Sequence, residues 1–239
     1  IGGKYRNLYE YSFTHADKVI LLSKTWKQEV INAFHLPEDK MEILYNPCPT
    51  VEPSKSEERD KYILFAGTLT HRKGYDDLIK AFATIANKFP EWRLKLAGNG
   101  EIDNGRRLVK QYNIEKQVDF LGWVNGQEKD TAFRHASIYC LPSYSEGFPM
   151  GVLDAWAYHL PVVTTPVGGI PDIAVDGENL MLFNPGDLSN LAAKLEILIN
   201  DKDKYDTIQS ASIHFAKVNF NINTISKKLS SIYSKLSYT

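Results

Sequence analysis

The chain has 239 residues, 43% of them hydrophobic and 24% charged, with a formal net charge of -1. These proportions exclude a disordered chain and suffice for one sizeable core or two modest ones. The near-neutral balance excludes a protein built around the phosphate backbone of nucleic acid, so no nucleic-acid partner is expected and any anion site must be local.

The two cysteines, Cys48 and Cys140, stand outside any CxxC or Cys/His cluster. They read as reduced thiols of a cytoplasmic protein, and no metal site is expected. No run of about 18 apolar residues and no opening signal peptide is found, so nothing is expected to span a membrane. The first residue is Ile1, not Met, and the sequence is expected to start inside a longer gene product.

Strand-sized apolar runs recur at 19–22, 43–45, 62–65, 94–97, 118–121, 138–141, 162–164 and 181–183. Most do not alternate, as expected of strands covered on both faces. The stretches between them carry helical spacing, for example Leu78, Ile79, Phe82, Ile85, Ala86 and Phe89. Strand and helix alternate, which predicts an α/β fold with a doubly wound, Rossmann-like parallel sheet. Pro47, Pro49 and Pro53 precede a charged run at 55–61, a composition that reads as an interdomain linker. We expect residues 1–52 to be the end of one domain plus linker, 53–220 to be a complete domain, and 221–239 to be a closing amphipathic helix. That helix has Lys227, Lys228 and Lys235, and no acidic residue follows Asp206. Its basic face suits packing on a missing N-terminal domain, the preferred expectation, or peripheral contact with anionic lipid at the inner membrane face.

Five segments at strand ends carry chemistry. In the first, Gly67 leaves a strand into a loop with Arg72 and Lys73 before a helix near Tyr75; two cations beside a helix N-terminus suit a diphosphate, although a solvated basic turn reads the same way. Gly98, Asn99 and Gly100 form the second, an incomplete dinucleotide fingerprint because Asp103 occupies the third glycine position. The third is Leu121 to Trp123, where Trp123 offers a face to a base or covers the sheet. In the fourth, Glu146 lies in a loop after a strand and Asp154 follows two turns away on a helix. Two carboxylates so placed can grip separate hydroxyl sets on one extended ligand, or act as a dipole partner and a surface charge. Gly168 and Gly169, the fifth, permit close backbone approach to a ligand or form a plain turn.

Taken together and in this order, the five segments resemble the C-terminal domain of GT-B glycosyltransferases of glycosyltransferase family 4. The likeness covers 62–220, and 16–20, Ser23 and 43–47 resemble the end of that family's N-terminal domain. The resemblance implies a nucleotide-sugar donor, a UDP-sugar in preference to a GDP-sugar, and a glycan or lipid-linked acceptor, with surface polysaccharide biosynthesis as the setting. It implies retaining transfer with no cofactor or metal.

Carried over, the likeness assigns the diphosphate to Arg72, Lys73 and the Gly67 strand end. The base goes to Gly98, Asn99, Gly100, Leu121 and Trp123. Glu146 becomes the catalytic carboxylate facing the sugar, Gly147, Phe148, Pro149 and Met150 give backbone contacts to sugar and phosphates, and Asp154 takes the ribose. The family has glutamate where Asp154 stands, a reach longer by roughly 1.5 Å, and commonly arginine where Thr68 stands. It also places the acceptor and a catalytic histidine on the N-terminal domain, so His71, His135 and His159 receive no catalytic role and this chain alone is expected to be inactive. The other readings are a nucleotide-sugar epimerase of the same architecture, which needs no acceptor, and a noncatalytic nucleotide-sugar-binding module.

Overall fold

A computed structural model describes residues 3, 5–51 and 59–236. Most of the expected charged linker therefore lies outside the described residues. In chain order the helices and strands are α1 Arg6–His15, β1 Val19–Leu21, α2 Lys24–Phe34, β2 Met41–Ile43, β3 Tyr62–Ala66, α3 Tyr75–Ile85, β4 Arg93–Ala97, α4 Ile102–Gln111, β5 Val118–Gly122, α5 Gly126–Arg134, β6 Ile138–Leu141, α6 Met150–Ala157, β7 Val162–Thr164, β8 Met181–Leu182, α7 Leu188–Asn200, α8 Lys202–Asn219 and α9 Ile222–Leu236.

Six of these strands form one sheet in the order β5-β4-β3-β6-β7-β8, and every neighbouring pair is parallel. The doubly wound α/β expectation is met. Parallel strands covered on both faces bury nearly every side chain. Ile63, Leu64 and Phe65 of β3 are wholly buried, and so are Ile138, Tyr139 and Cys140 of β6. Among the helices, α3 packs beside α4 and α7, and α6 against α8. α3 forms where Leu78, Ile79, Phe82 and Ile85 share one buried face, and Asp76 and Asp77 in its first turn complement the helix dipole. The chain runs outward from β3 to β5 and then returns to lay β6 against the other side of β3. This reversal opens a crevice at the carboxyl ends of β3 and β6, the place where open α/β sheets hold ligands.

The amino-terminal lobe is small. β1 and β2 pair in parallel, Val19 opposite Met41, over a cluster of Val19, Val30, Phe34, Leu36 and Met41. The second strand was expected at 43–45 and lies at Met41–Ile43 instead, because Met41 is the buried partner of Val19. Tyr45 has already left the lobe: its ring meets Phe148 at 5.2 Å and Phe220 at 5.5 Å between centroids. Nearby, the Cys48 N–H donates to the Phe220 carbonyl at 2.7 Å, so the connection leaving the small lobe lies against the junction of α8 and α9. Where the described chain resumes, the Arg59 guanidinium donates to the carbonyls of Arg134, Ala136 and Tyr158. Its charge collects C-terminal carbonyls that no helix partner satisfies. The last helix, α9, buries Ile225 and Ile232. Among the described residues no helix is long and apolar enough to cross a membrane.

Ile63→Ala should cost about 2–5 kcal/mol, because the side chain is wholly buried in a central strand between β4 and β6. Urea unfolding should show a lower midpoint at unchanged slope; an unchanged midpoint would contradict this packing.

Candidate functional site

The loops at the carboxyl ends of β3 and β4 are woven together by backbone hydrogen bonds. Gly67 N–H donates to Ala97 O at 2.9 Å, Leu69 N–H to Asn99 O at 2.8 Å, and Glu101 N–H to Leu69 O at 2.8 Å. The weave needs glycine at 98: its φ is +148°, and a Cβ there would lie 1.9 Å from the Gly67 carbonyl oxygen. Asn99 O and the Glu101 N–H bond to Leu69 on either side of Gly100, which lies opposite it, whereas Gly67 and Gly98 line a pocket.

That pocket has a volume of about 320 Å³. Sequence reasoning named four of its lining residues, Gly67, Gly98, Trp123 and Asp154, and missed Ala66, Lys129 and Gly151 among others. The missed ones follow from helix geometry. Gly151 and Asp154 are three residues apart on α6, and Gly126, Lys129 and Phe133 share one face of α5, so each helix turns a stripe toward the pocket. Lys129 lies in an unremarkable polar stretch, and nothing local marks it; only the fold sets its Nζ 2.8 Å from an Asp154 carboxylate oxygen. Trp123 is 65% exposed, so it presents its ring at the pocket and does not cover the sheet. Leu121 lines a different, neighbouring pocket with Tyr62 and Lys95; Val124 borders both.

On the other side of α6, the β3–α3 loop meets the β6–α6 loop. Lys73 Nζ lies 2.6 Å from Glu146 Oε1, and Ser143 Oγ donates to the same oxygen at 2.6 Å. The Glu146 side chain is 7% exposed and that of Lys73 18%. So little water contact makes the pair mutually dependent: removing one member strands a charge. Arg72 is 55% exposed, sits 4.0 Å from Glu146 Oε2, and donates to Ser145 O at 2.6 Å. Tyr144 clasps the two loops. Its N–H donates to Arg72 O at 2.8 Å, its hydroxyl donates to Asp77 at 2.5 Å, and its ring lies 4.9 Å from that of His71. The hydrogen bond to Asp77, followed by burial, pushes the Tyr144 hydroxyl up to about 12.

Gly168 and Gly169 were read either as allowing approach to a ligand or as a plain turn. The approach they allow is to the protein itself. Gly168, at φ +60°, would drive a Cβ to 2.3 Å from Glu146 O, and a Cβ on Gly169 would meet the Phe148 ring at 2.3 Å. Gly169 N–H in turn donates to Gly147 O at 2.7 Å. The glycine pair is therefore a seat for the Glu146 loop. Phe148 is buried against Tyr45 and Phe220, so its ring is held in the interior. Pro149, also buried, stands at the N-cap position of α6 with its carbonyl accepting from the Val152 N–H at 3.1 Å, and Met150 is exposed at the start of the first turn.

Neither thiol belongs to this chemistry. Burial, followed by the charge of Asp154, pushes Cys48 up to about 12, and burial raises Cys140 further, so both stay protonated near neutrality. Among the described residues there is no group of three His, Cys, Asp or Glu that could hold a metal ion.

Residues 50–215 match the family described as Glycosyl transferases group 1. The chain belongs to this family. It is 32% identical over 209 residues to an uncharacterized glycosyltransferase of Haemophilus influenzae, a match covering 84% of this chain and 57% of that protein. It is 29% identical over 181 residues to the D-inositol 3-phosphate glycosyltransferase of Corynebacterium aurimucosum, covering 73% and 43%. The chain spans about half the length of the curated relatives it matches. Among solved structures, Anabaena HepE in complex with UDP and glucose superposes with a TM-score of 0.85 at 21% identity, over 96% of this chain and 66% of that one. The C-terminal domain of the group 1 glycosyl transferase LpcC from Francisella tularensis superposes with a TM-score of 0.65 at 26% identity, over 71% of this chain and 95% of that one.

The raised Tyr144 predicts an alkaline signature. A hydroxyl held protonated in the fold contributes stability that is whole below pH 10, its ordinary value, and lost as pH rises through about 12. Tyr144→Phe should flatten the fall in urea midpoint across that window. An identical fall in parent and variant would remove the Tyr144–Asp77 bond from the account.

Proposed function

We propose that this chain holds the donor site of a glycosyltransferase and that its ligand is a nucleoside diphosphate sugar, UDP-linked in preference to GDP-linked. The observation that carries the reading is the bipolar crevice at the ends of β3 and β6. One end offers a glycine-lined pocket with an exposed tryptophan and a carboxylate, Asp154; the other offers Arg72, Lys73 and Glu146; the amino end of α6 lies between. A nucleotide sugar has that same sequence of parts.

In this reading Trp123 and Gly98 serve the base, Asp154 takes the ribose hydroxyls, and Arg72, Lys73 and the Gly67 strand end take the diphosphate. The backbone from Gly147 to Met150 lies along phosphates and sugar. Glu146 is the catalytic carboxylate at the donor sugar. When the bond between the anomeric carbon and the diphosphate breaks, the leaving group keeps the electron pair and its charge grows. Arg72, Lys73 and the exposed N–H groups at the start of α6 stabilise that charge, and this leaving-group role asks nothing of a metal. Transfer proceeds with retention to a glycan or lipid-linked acceptor in surface polysaccharide assembly on the cytoplasmic side. Residues 1–52 close the acceptor-side lobe and 53–220 form the donor domain. The Glycosyl transferases group 1 match and the fold shared with UDP-bound HepE support this reading.

Calorimetric titration of the chain should show UDP binding more tightly than GDP, equally with and without EDTA; no binding of any nucleoside diphosphate would overturn the donor reading. Lys73→Ala should weaken UDP binding at least tenfold, about 1.4 kcal/mol. Thr68 is exposed on the β3–α3 loop, and Thr68→Arg, which adds a cation there, should strengthen UDP binding several-fold; a weaker complex would place the diphosphate elsewhere.

A further inference from the structure

The amino-terminal lobe touches the donor loop through a carboxylate that the donor site itself does not use. Asp172 ends the short turn that begins at the Gly168–Gly169 seat. Its Oδ2 accepts from the Lys24 N–H at 2.7 Å and from the Tyr45 hydroxyl at 3.1 Å. Lys24 is the first residue of α2, so its N–H has no acceptor within its own helix. Ser23, the residue before it, caps the Trp26 N–H with its side chain at 3.1 Å. The second cap of α2 therefore comes from the opposite lobe, and it is an anion placed where the helix dipole favours one.

Two further contacts show what this cap positions. Trp26, in the first turn of α2, is 38% exposed and points its indole N–H at the Glu146 carbonyl at 3.5 Å. The Tyr45 ring, whose hydroxyl Asp172 holds, packs on Phe148. Both ends of the small lobe thus converge on the loop of Glu146 to Phe148, and Gly169 N–H bonded to Gly147 O ties that loop back to the turn bearing Asp172.

We propose that Asp172 is a positioning residue: by capping α2 and holding Tyr45, it fixes the amino-terminal lobe, and with it Trp26, over the donor-sugar end of the site. The assignment of that end rests on the donor reading above; the latch itself rests on contacts within the chain. Amide hydrogen exchange in the ligand-free chain tests it. Asp172→Ala should speed exchange at Lys24 at least tenfold, whereas Asp172→Asn, which keeps an acceptor oxygen, should do so less, and the central strands should stay protected in both. UDP affinity should remain within threefold of the parent, because Asp172 makes no contact with Arg72, Lys73 or Asp154. Unchanged Lys24 exchange in Asp172→Ala would overturn the proposal. So would a loss of UDP affinity accompanied by faster exchange in the central strands, which would make Asp172 a plain structural residue. A parent chain that binds no UDP would overturn the donor reading instead, and the Lys24 result would still decide the latch.

Discussion

The pairing of Lys73 with Glu146 is the interaction on which the site depends. It joins loops that are 73 residues apart in sequence, and it can do so because the sheet reverses direction between β3 and β6. Each partner is almost out of water, so each would be costly alone. A second layer keeps them in register: Tyr144 bridges to Asp77 and to the Arg72 backbone, Ser143 shares the Glu146 oxygen, and Gly168 lets the Glu146 backbone lie close. A polar cluster this connected holds its charges in place and leaves the more exposed Arg72 able to turn toward an incoming anion.

The glycine-lined pocket is built differently. There the strand-end loops of β3, β4 and β5 pack backbone on backbone, and the resulting pocket wall is mostly main chain and small residues. Asp154 faces this pocket already paired with Lys129. That pairing bears on the missing methylene at position 154: the shorter carboxylate has a fixed partner on α5, so its orientation is set by the ion pair as well as by its own rotamer. Glu146 and Asp154 thus divide the crevice, each neutralised by a lysine from a different element.

The small lobe is more than a trailing piece of chain. Its two strands have a core of their own, yet α2 takes one N-terminal cap from Asp172, and Tyr45 joins the aromatic group of Phe148 and Phe220. These contacts reach the loop of Glu146 from the small lobe, so lobe orientation and the placing of Glu146 are physically linked.

Much of this was legible without coordinates. Apolar runs, most of them non-alternating, marked all six strands of the main sheet, and cations, glycines and carboxylates at their ends marked the crevice, because both signals are local. The register of β2 was not legible: its apolar run continues through Leu44 and Tyr45, and whether those two pair within the lobe or leave it depends on Phe148 and Phe220. Lys129 was missed, Trp123 stayed ambiguous, and the glycine pair, left open between a ligand approach and a plain turn, seats a loop. The amino-acid sequence alone determined the fold class and which strand ends carry chemistry, since hydrophobic period and residue type act over a few residues. Only the tertiary structure decided which charges meet, Lys73 with Glu146 and Lys129 with Asp154, and which lobe contacts Asp172 makes, because these are distances between segments 25 to 148 residues apart.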